Sequence, residues 1–357
     1  MNTAPRQNVF GLTATAFAAA AVGLPGGRER ALWVYREAWR GRQLPAELPT
    51  VWRTVFDDAV PEPVRQVEES TAAGTTAKCL LRLWDGHEIE MVRIPMRSGP
   101  EGAETCTLCL SSQVGCRMGC AFCETARLGL IRQLEPAEIV GQVVAALRLG
   151  WQPRNLVFMG MGEPLDNVDA VIAALHVLTD TRGLDLARER LTVCTAGHVA
   201  GIARLGALGW KRLNLSISLN ATDDATRSRL MPINQRTPLA ELQAALAAYP
   251  KRRNFALGVN WCLLPGINDS RAAAAGLAAF CAPLGRVMVN LIPYNPGSHP
   301  LARAPEEAEI ERFVSCLQEE NLPVRCRTPR GRSIMAACGQ LGQGRKAPQA
   351  ERPSAPP

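Results

Sequence analysis

Gly115-Cys116-Arg117-Met118-Gly119-Cys120-Ala121-Phe122-Cys123 sets three cysteines at spacings of four and three residues. A compact loop at that spacing aims three thiolates at one cubane cluster, and because a cubane has four irons, one is left without a protein ligand. That iron is open to chelation by the amino and carboxylate groups of S-adenosylmethionine, and an electron from the cluster then cleaves the sulfonium to a 5′-deoxyadenosyl radical. A zinc site is the alternative. Structural zinc takes four ligands, often as paired C-x2-C units or with His, and no His accompanies this loop.

With 357 residues the chain can bury a full core and suits one large α/β domain with a smaller attachment. Twelve cysteines without a secretory leader point to a reducing cytosol, where thiols serve metals or catalysis more often than structural disulfides. Val9 to Leu24, apolar behind a lone Arg6, loosely resembles a signal peptide. A Thr13 cap and a stop at Gly23 to Gly27 favour a short amphipathic helix instead. No run is long and apolar enough to span a bilayer. The net charge of +7 is compatible with a polyanionic partner and equally with a solvated surface. Arg28, Arg30, Arg36, Arg40 and Arg42 crowd beside Trp33, Tyr35 and Trp39, a mixture that suits phosphate contact and base stacking unless the aromatics are core.

Residues 1–60 read as a small helical attachment, with Arg28 to Trp39 and Thr50 to Val60 as segments. Over 61–104, Lys78 to Trp84 and Glu88 to Ile94 form a β-hairpin extension turning at Asp85-Gly86. From 105 to 341 strand and helix alternate, which implies parallel strands with helical crossovers. Pro136 opens the clearest helix, with Ile139, Val140, Val143, Val144 and Leu147 on one face and Gly150 at its end. Strands are expected at Asn155 to Met159, Leu191 to Thr195, Leu213 to Leu219, Phe255 to Leu263 and Val287 to Ile292. With the strand before the cysteine loop this gives about six βα units, an open partial barrel. The Pro- and Gln-rich stretch 342–357 reads as a disordered tail.

In such folds the active site gathers at the C-terminal ends of the strands. Met159-Gly160-Met161-Gly162-Glu163-Pro164, Cys194-Thr195-Ala196-Gly197, Ser218-Leu219-Asn220 and Tyr294-Asn295-Pro296 all fall there, in register with the cysteine loop. Glycines permit close backbone approach, and Glu163 can accept a hydrogen bond from the ammonium of S-adenosylmethionine.

The stretches CLSSQVGCRMGCAFC, FMGMGEPLDN, SLNA, NLIPYNP and AACGQL make the chain, from the hairpin to Leu341, closely similar to the radical SAM methyltransferases of the RlmN/Cfr type. The resemblance implies a radical-SAM partial barrel that methylates an adenine ring carbon, carbon 2 ahead of carbon 8, in ribosomal or transfer RNA. It implies that Cys116, Cys120 and Cys123 hold a 4Fe-4S cluster. Gly162, Glu163, Cys194, Ser218, Leu219, Asn220 and Asn295 would bind S-adenosylmethionine, two molecules of which are used per turnover. One methylates Cys338, and the second gives the radical that takes a hydrogen from that S-methyl group. The resulting carbon radical adds to the ring, Glu90 accepts the ring proton, and Cys109 attacks sulfur to free the RNA and leave a disulfide. A flavodoxin-type reductant is the implied electron donor, and no membrane is involved.

The chain departs from the pattern in two places. Cys194 stands where the family generally has Ser in its S-T-x-G turn, and thiol is the weaker donor. Arg132-Gln133-Leu134 replaces Arg-Asn-Leu. Arg325, Arg327, Arg330 and Arg332 precede Cys338 and are candidates to seat phosphates. Cys79, Cys106, Cys262, Cys281, Cys316 and Cys326 read as small buried hydrophobes. Two other readings compete: a radical SAM enzyme acting on a protein or small molecule, which Cys338 opposes, and an RNA-binding protein with a structural metal.

Overall fold

Ten strands hydrogen-bond into one sheet in the computed structural model, which describes residues 6–72, 74–96 and 104–342. Seven are parallel and lie side by side in chain order: Cys106–Cys109, Pro153–Phe158, Leu191–Thr195, Asn214–Ser218, Leu257–Leu263, Val287–Pro293 and Val324–Cys326. Strands that advance steadily in one direction, each joined by a right-handed crossover, collect their helices on one face and curl as a barrel does. The two edge strands, Glu62–Thr71 and Val324–Cys326, do not pair with each other among the described residues. The expected six βα units are present, and a seventh strand of three mostly exposed residues follows them.

The extension is larger than the expected hairpin. Gly74–Arg82 and Glu88–Pro95 pair antiparallel, and Glu62–Thr71 adds a third strand outside them. That strand hides its periodicity because it is an edge, rich in charge and exposed on both faces, as edge strands that resist further pairing tend to be. The meander joins the parallel strands through Glu88–Pro95 and Cys106–Cys109.

Helix Pro136–Arg148 begins with a capping box between Glu135 and Glu138 and buries Ile139, Val140, Val143 and Val144, as its periodicity demands. The N-terminal helices Ala14–Ala20, capped by Thr13, Gly27–Gly41 and Thr50–Val55 enclose Phe10, Phe17, Tyr35, Trp39, Trp52 and Phe56. Tyr35 and Trp39 are therefore core, and Trp33 is half-buried against it, with the Arg30 guanidinium 4.0 Å above its ring. One apolar core runs from Val9 to Leu341. The stretch expected to be a disordered tail lies, apart from Gly342, outside the described residues.

Candidate active site

Local structure aims the cysteine loop. Gln113–Cys116 pairs antiparallel with Gly129–Gln133, a short ribbon that turns the chain back under the strand ends. Gly115 sits there at φ +76°, where a Cβ would fall 1.9 Å from the Gly129 carbonyl, so no other residue fits. Cys116, Cys120 and Cys123 then face one cavity, whose wall also includes Gly162, Glu163, Cys194, Ser218, Asn220 and Cys338. Nine of the thirteen expected site residues thus meet at the C-terminal end of the parallel sheet.

Burial raises all three loop thiols, Cys116 to about 12, and neighbouring charge adds to it: the Cys123 and Cys116 sulfurs at Cys120, Glu163 and Cys123 at Cys116, and Glu124 at Cys123. Backbone N–H groups oppose the rise: that of Met118 points at Cys116, and those of Thr125 and Ala126 point at Cys123. Donors aimed at sulfur stabilise thiolate, so this donor set fits a thiolate-bound metal group, whose binding displaces the protons.

Glu163 is 3% exposed and its carboxylate accepts from Thr195 Oγ1 (2.7 Å), Leu165 N (3.0 Å) and Ala196 N (2.7 Å). Oε1 takes two of these donors and Oε2 one, which leaves Oε2 an acceptor position toward the cavity it lines. Burial raises this carboxyl to about 7 against the pull of those bonds. Gly162, at φ +99°, lies so close to Gln113 that a Cβ would sit 2.5 Å from its Cβ. Asn220 adopts φ +63°, and its side chain spans Cys262 N (2.8 Å) and Met231 Sδ (3.2 Å).

Four expected site residues are off the cavity wall. Leu219, between Ser218 and Asn220, alternates to the other side and buries its side chain in the core, so it offers the cavity no side chain. Asn295 lies behind the Cys338 segment, donating toward the Cys338 carbonyl (3.5 Å) and accepting from Arg332 Nε (3.0 Å). Cys109 is buried beside Cys338 and Cys194, and burial, then those two sulfurs, push its thiol up. Glu90, 1% exposed, is no exposed strand residue: Lys78 Nζ stands 3.4 Å from Oε1 and the Gly342 N–H donates to Oε2 (2.9 Å). Cys338 itself is open to the cavity, its sulfur 3.9 Å from Met159 Sδ.

Residues 110–277 match the radical SAM superfamily. A protein named probable dual-specificity RNA methyltransferase RlmN 1, from Protochlamydia amoebophila, is 43% identical over 77% of this chain and 75% of its own length. The chain belongs to the RlmN/Cfr family. The dual-specificity RNA methyltransferase RlmN of Desulfotalea psychrophila is 40% identical over 88% of each chain. A crystal structure of a radical SAM methyltransferase from Sphaerobacter thermophilus shares the fold at TM-score 0.83 and 35% identity, covering 94% of this chain and 99% of that one. Membership makes this protein an S-adenosylmethionine-dependent RNA methyltransferase, and the superfamily implies a 4Fe-4S cluster. No three His, Cys, Asp or Glu among the described residues surround a single metal ion, whereas a cubane spreads its ligands over separate irons.

For this RlmN/Cfr chain the sequence reading missed Arg227 and Asn260. Arg227, 0% exposed, bonds to the carbonyls of Leu219 (3.1 Å), Ala196 (2.7 Å) and Ser218 (3.3 Å) and to Asn234 Oδ1 (2.9 Å). It thereby ties together two strand ends of the cavity wall. Burial lowers its pKa to about 10, and the nearby Cys120 sulfur draws it back up. Asn260 lines the cavity with its Nδ2 unpartnered, and the signal available was a polar amide inside the apolar strand Leu257–Leu263. Cys262 also lines the cavity and Cys326 is exposed, so neither is the buried filler expected of it. All twelve cysteines are free, so the disulfide that the resemblance implies is not present here. Of the four arginines before Cys338, Arg330 donates to the Pro95 carbonyl (2.6 Å), Arg332 to Asn295 and Arg327 to Asn290 Oδ1 (2.9 Å), while Arg325 is exposed. No helix among the described residues is long and apolar enough to cross a membrane.

Proposed function

We propose that this enzyme methylates a ring carbon of adenine, carbon 2 first, in ribosomal and transfer RNA, through a methyl carried on Cys338. The observation that carries this reading is the meeting of two sulfur sets on one cavity: the three loop cysteines on one side, and Cys338 with Cys194, backed by buried Cys109, on the other. Cys116, Cys120 and Cys123 would hold the cluster, which supplies the electron that cleaves S-adenosylmethionine to its adenosyl radical.

An aromatic ring carbon is too poor a nucleophile to displace a methyl from a sulfonium, so the methyl needs a carrier from which a hydrogen can be taken. Cys338, the only expected catalytic thiol open to the cavity, suits that part. Glu163 would orient S-adenosylmethionine by accepting from its amino group at Oε2, and Asn260 Nδ2 would donate to an oxygen of the cofactor. Glu90 would accept the ring proton, exchanging its bond to Gly342 for the substrate. Cys109 would attack the Cys338 sulfur as its bond to the methylene carbon breaks; that carbon takes up a proton to become the methyl of the freed RNA, the unpaired electron left by radical addition would pass to a one-electron acceptor of the iron–sulfur class, and a transient disulfide remains. The relatives' names carry a dual specificity, which supports two RNA classes as substrates. A flavodoxin-type protein would be the reductant and the cytoplasm the compartment. Mass spectrometry of adenosines in ribosomal and transfer RNA, from cells with and without the gene, tests the reading: 2-methyladenosine should vanish with the gene, and its persistence would overturn the assignment.

A further inference from the structure

One face of the antiparallel meander grips the segment that bears Cys338. Val67, Lys78 and Val92 stand in register across its three strands, with Glu69 opposite Thr76 and Leu80 opposite Glu90, so Glu69, Lys78 and Glu90 project from the same face. Lys78 is 6% exposed, and its ammonium donates to the Met335 carbonyl (3.0 Å) while standing 3.4 Å from Glu90 Oε1. Glu90 Oε2 accepts from Gly342 N (2.9 Å), and Glu69 accepts from Gly331 N (2.5 Å) and Ser333 N (3.1 Å). Cys338 falls between Met335 and Gly342, the two points this ion pair holds. On its far side, the carbonyls of Gly339 and Leu341 accept from Glu124 N (2.8 Å) and Thr125 Oγ1 (2.6 Å), the two residues that follow Cys123.

A buried ion pair is a poor way to stabilise a sheet, because desolvating both charges offsets most of their attraction. An apolar pair would fill the same space but could bond neither Met335 nor Gly342. We infer that Lys78 is a positioning residue for Cys338: through Met335 and through Glu90 it fixes the carrier segment between the meander and the cysteine loop. This rests on Cys338 being the methyl carrier. A merely structural pair would, when broken, weaken the whole sheet alike; a positioning pair frees one segment.

The test compares the cluster-reconstituted wild type with Lys78→Met and Lys78→Arg. Hydrogen exchange should quicken about tenfold for amides of residues 331–342 in Lys78→Met, the change expected on losing one local hydrogen bond, while the strands Gly74–Arg82 and Leu191–Thr195 keep their protection. Intact mass after addition of S-adenosylmethionine should show Cys338 methylated several-fold more slowly at equal iron content, and Lys78→Arg should restore part of both. Should the orphaned Glu90 keep Lys78→Met from folding, the double variant Lys78→Met/Glu90→Leu leaves no lone charge and must free the segment to the same degree. Unchanged exchange over 331–342, or loss spread evenly through the sheet, overturns the inference. A wild type whose Cys338 never gains a methyl instead refutes the carrier reading, while the exchange data still decide the anchor.

Discussion

Glu163 makes cofactor binding depend on pH, with a sign set by its burial. Its carboxyl rises from 4.5 to about 7, chiefly because burial penalises the charge, despite the bonds from Ala196, Thr195 and Leu165. Only the ionised group keeps both oxygens free to accept. With a midpoint near 7, about one-tenth is ionised at pH 6 and about nine-tenths at pH 8, so the dissociation constant for S-adenosylmethionine should fall about tenfold across that interval. Stability moves the other way. A carboxyl whose folded value lies above its unfolded one contributes stability that is fully present below pH 4.5 and lost as pH rises through 7. At about 1.4 kcal/mol for each tenfold, the rise amounts to roughly 3 kcal/mol in the cluster-free protein. Equilibrium dialysis of labelled S-adenosylmethionine against anaerobically reconstituted protein at the two pH values measures the first effect, and urea midpoints measure the second. Glu163→Gln should bind weakly at both pH values, with the slope gone. A wild-type dissociation constant that stays flat from pH 6 to pH 8 would refute the reasoning.

Cys194→Ser should be tolerated and bind S-adenosylmethionine at least as well, since a hydroxyl beside the unpartnered Asn260 Nδ2 can accept from it; abolished binding, by calorimetry, would contradict this. Arg227→Met strips donors from the Leu219 and Ala196 carbonyls and from Asn234 Oδ1. At about 1–3 kcal/mol for each orphaned group, offset in part by the guanidinium's own desolvation, a net loss of roughly 3 kcal/mol is expected in denaturant titration. Cys109→Ala should stall after carbon–carbon bond formation and leave protein joined to RNA. The adduct should run slowly on a denaturing gel, collapse with nuclease, and disappear when Cys338 is also replaced.

The parallel half of the fold was legible because each strand there is a short apolar run between helices of clear period: Leu191–Thr195 falls where expected, and Asn214–Ser218 lies within its expected span. Glu62–Thr71 was not, because an exposed edge has no apolar face to betray it. In the site, the cysteine spacing and the strand-end rule sufficed for the cavity wall. The Leu219 side chain lies off the wall because a motif is contiguous in sequence while a strand end shows alternate residues to the cavity. Arg227 carried no signal, since an arginine in a charged helix reads as solvated until its burial is seen. The burial of Glu90 was equally hidden, because its partners, Lys78 and Gly342, lie on another strand and at the far end of the chain.

The carrier mechanism meets its most direct test in S-adenosylmethionine bearing a trideuterated methyl group. A methyl that passes through Cys338 loses one deuterium to the adenosyl radical, so the methyladenine should carry two deuteriums and the third should appear in 5′-deoxyadenosine. A product methyl that retains all three deuteriums would mean direct transfer to the ring, and would contradict the account.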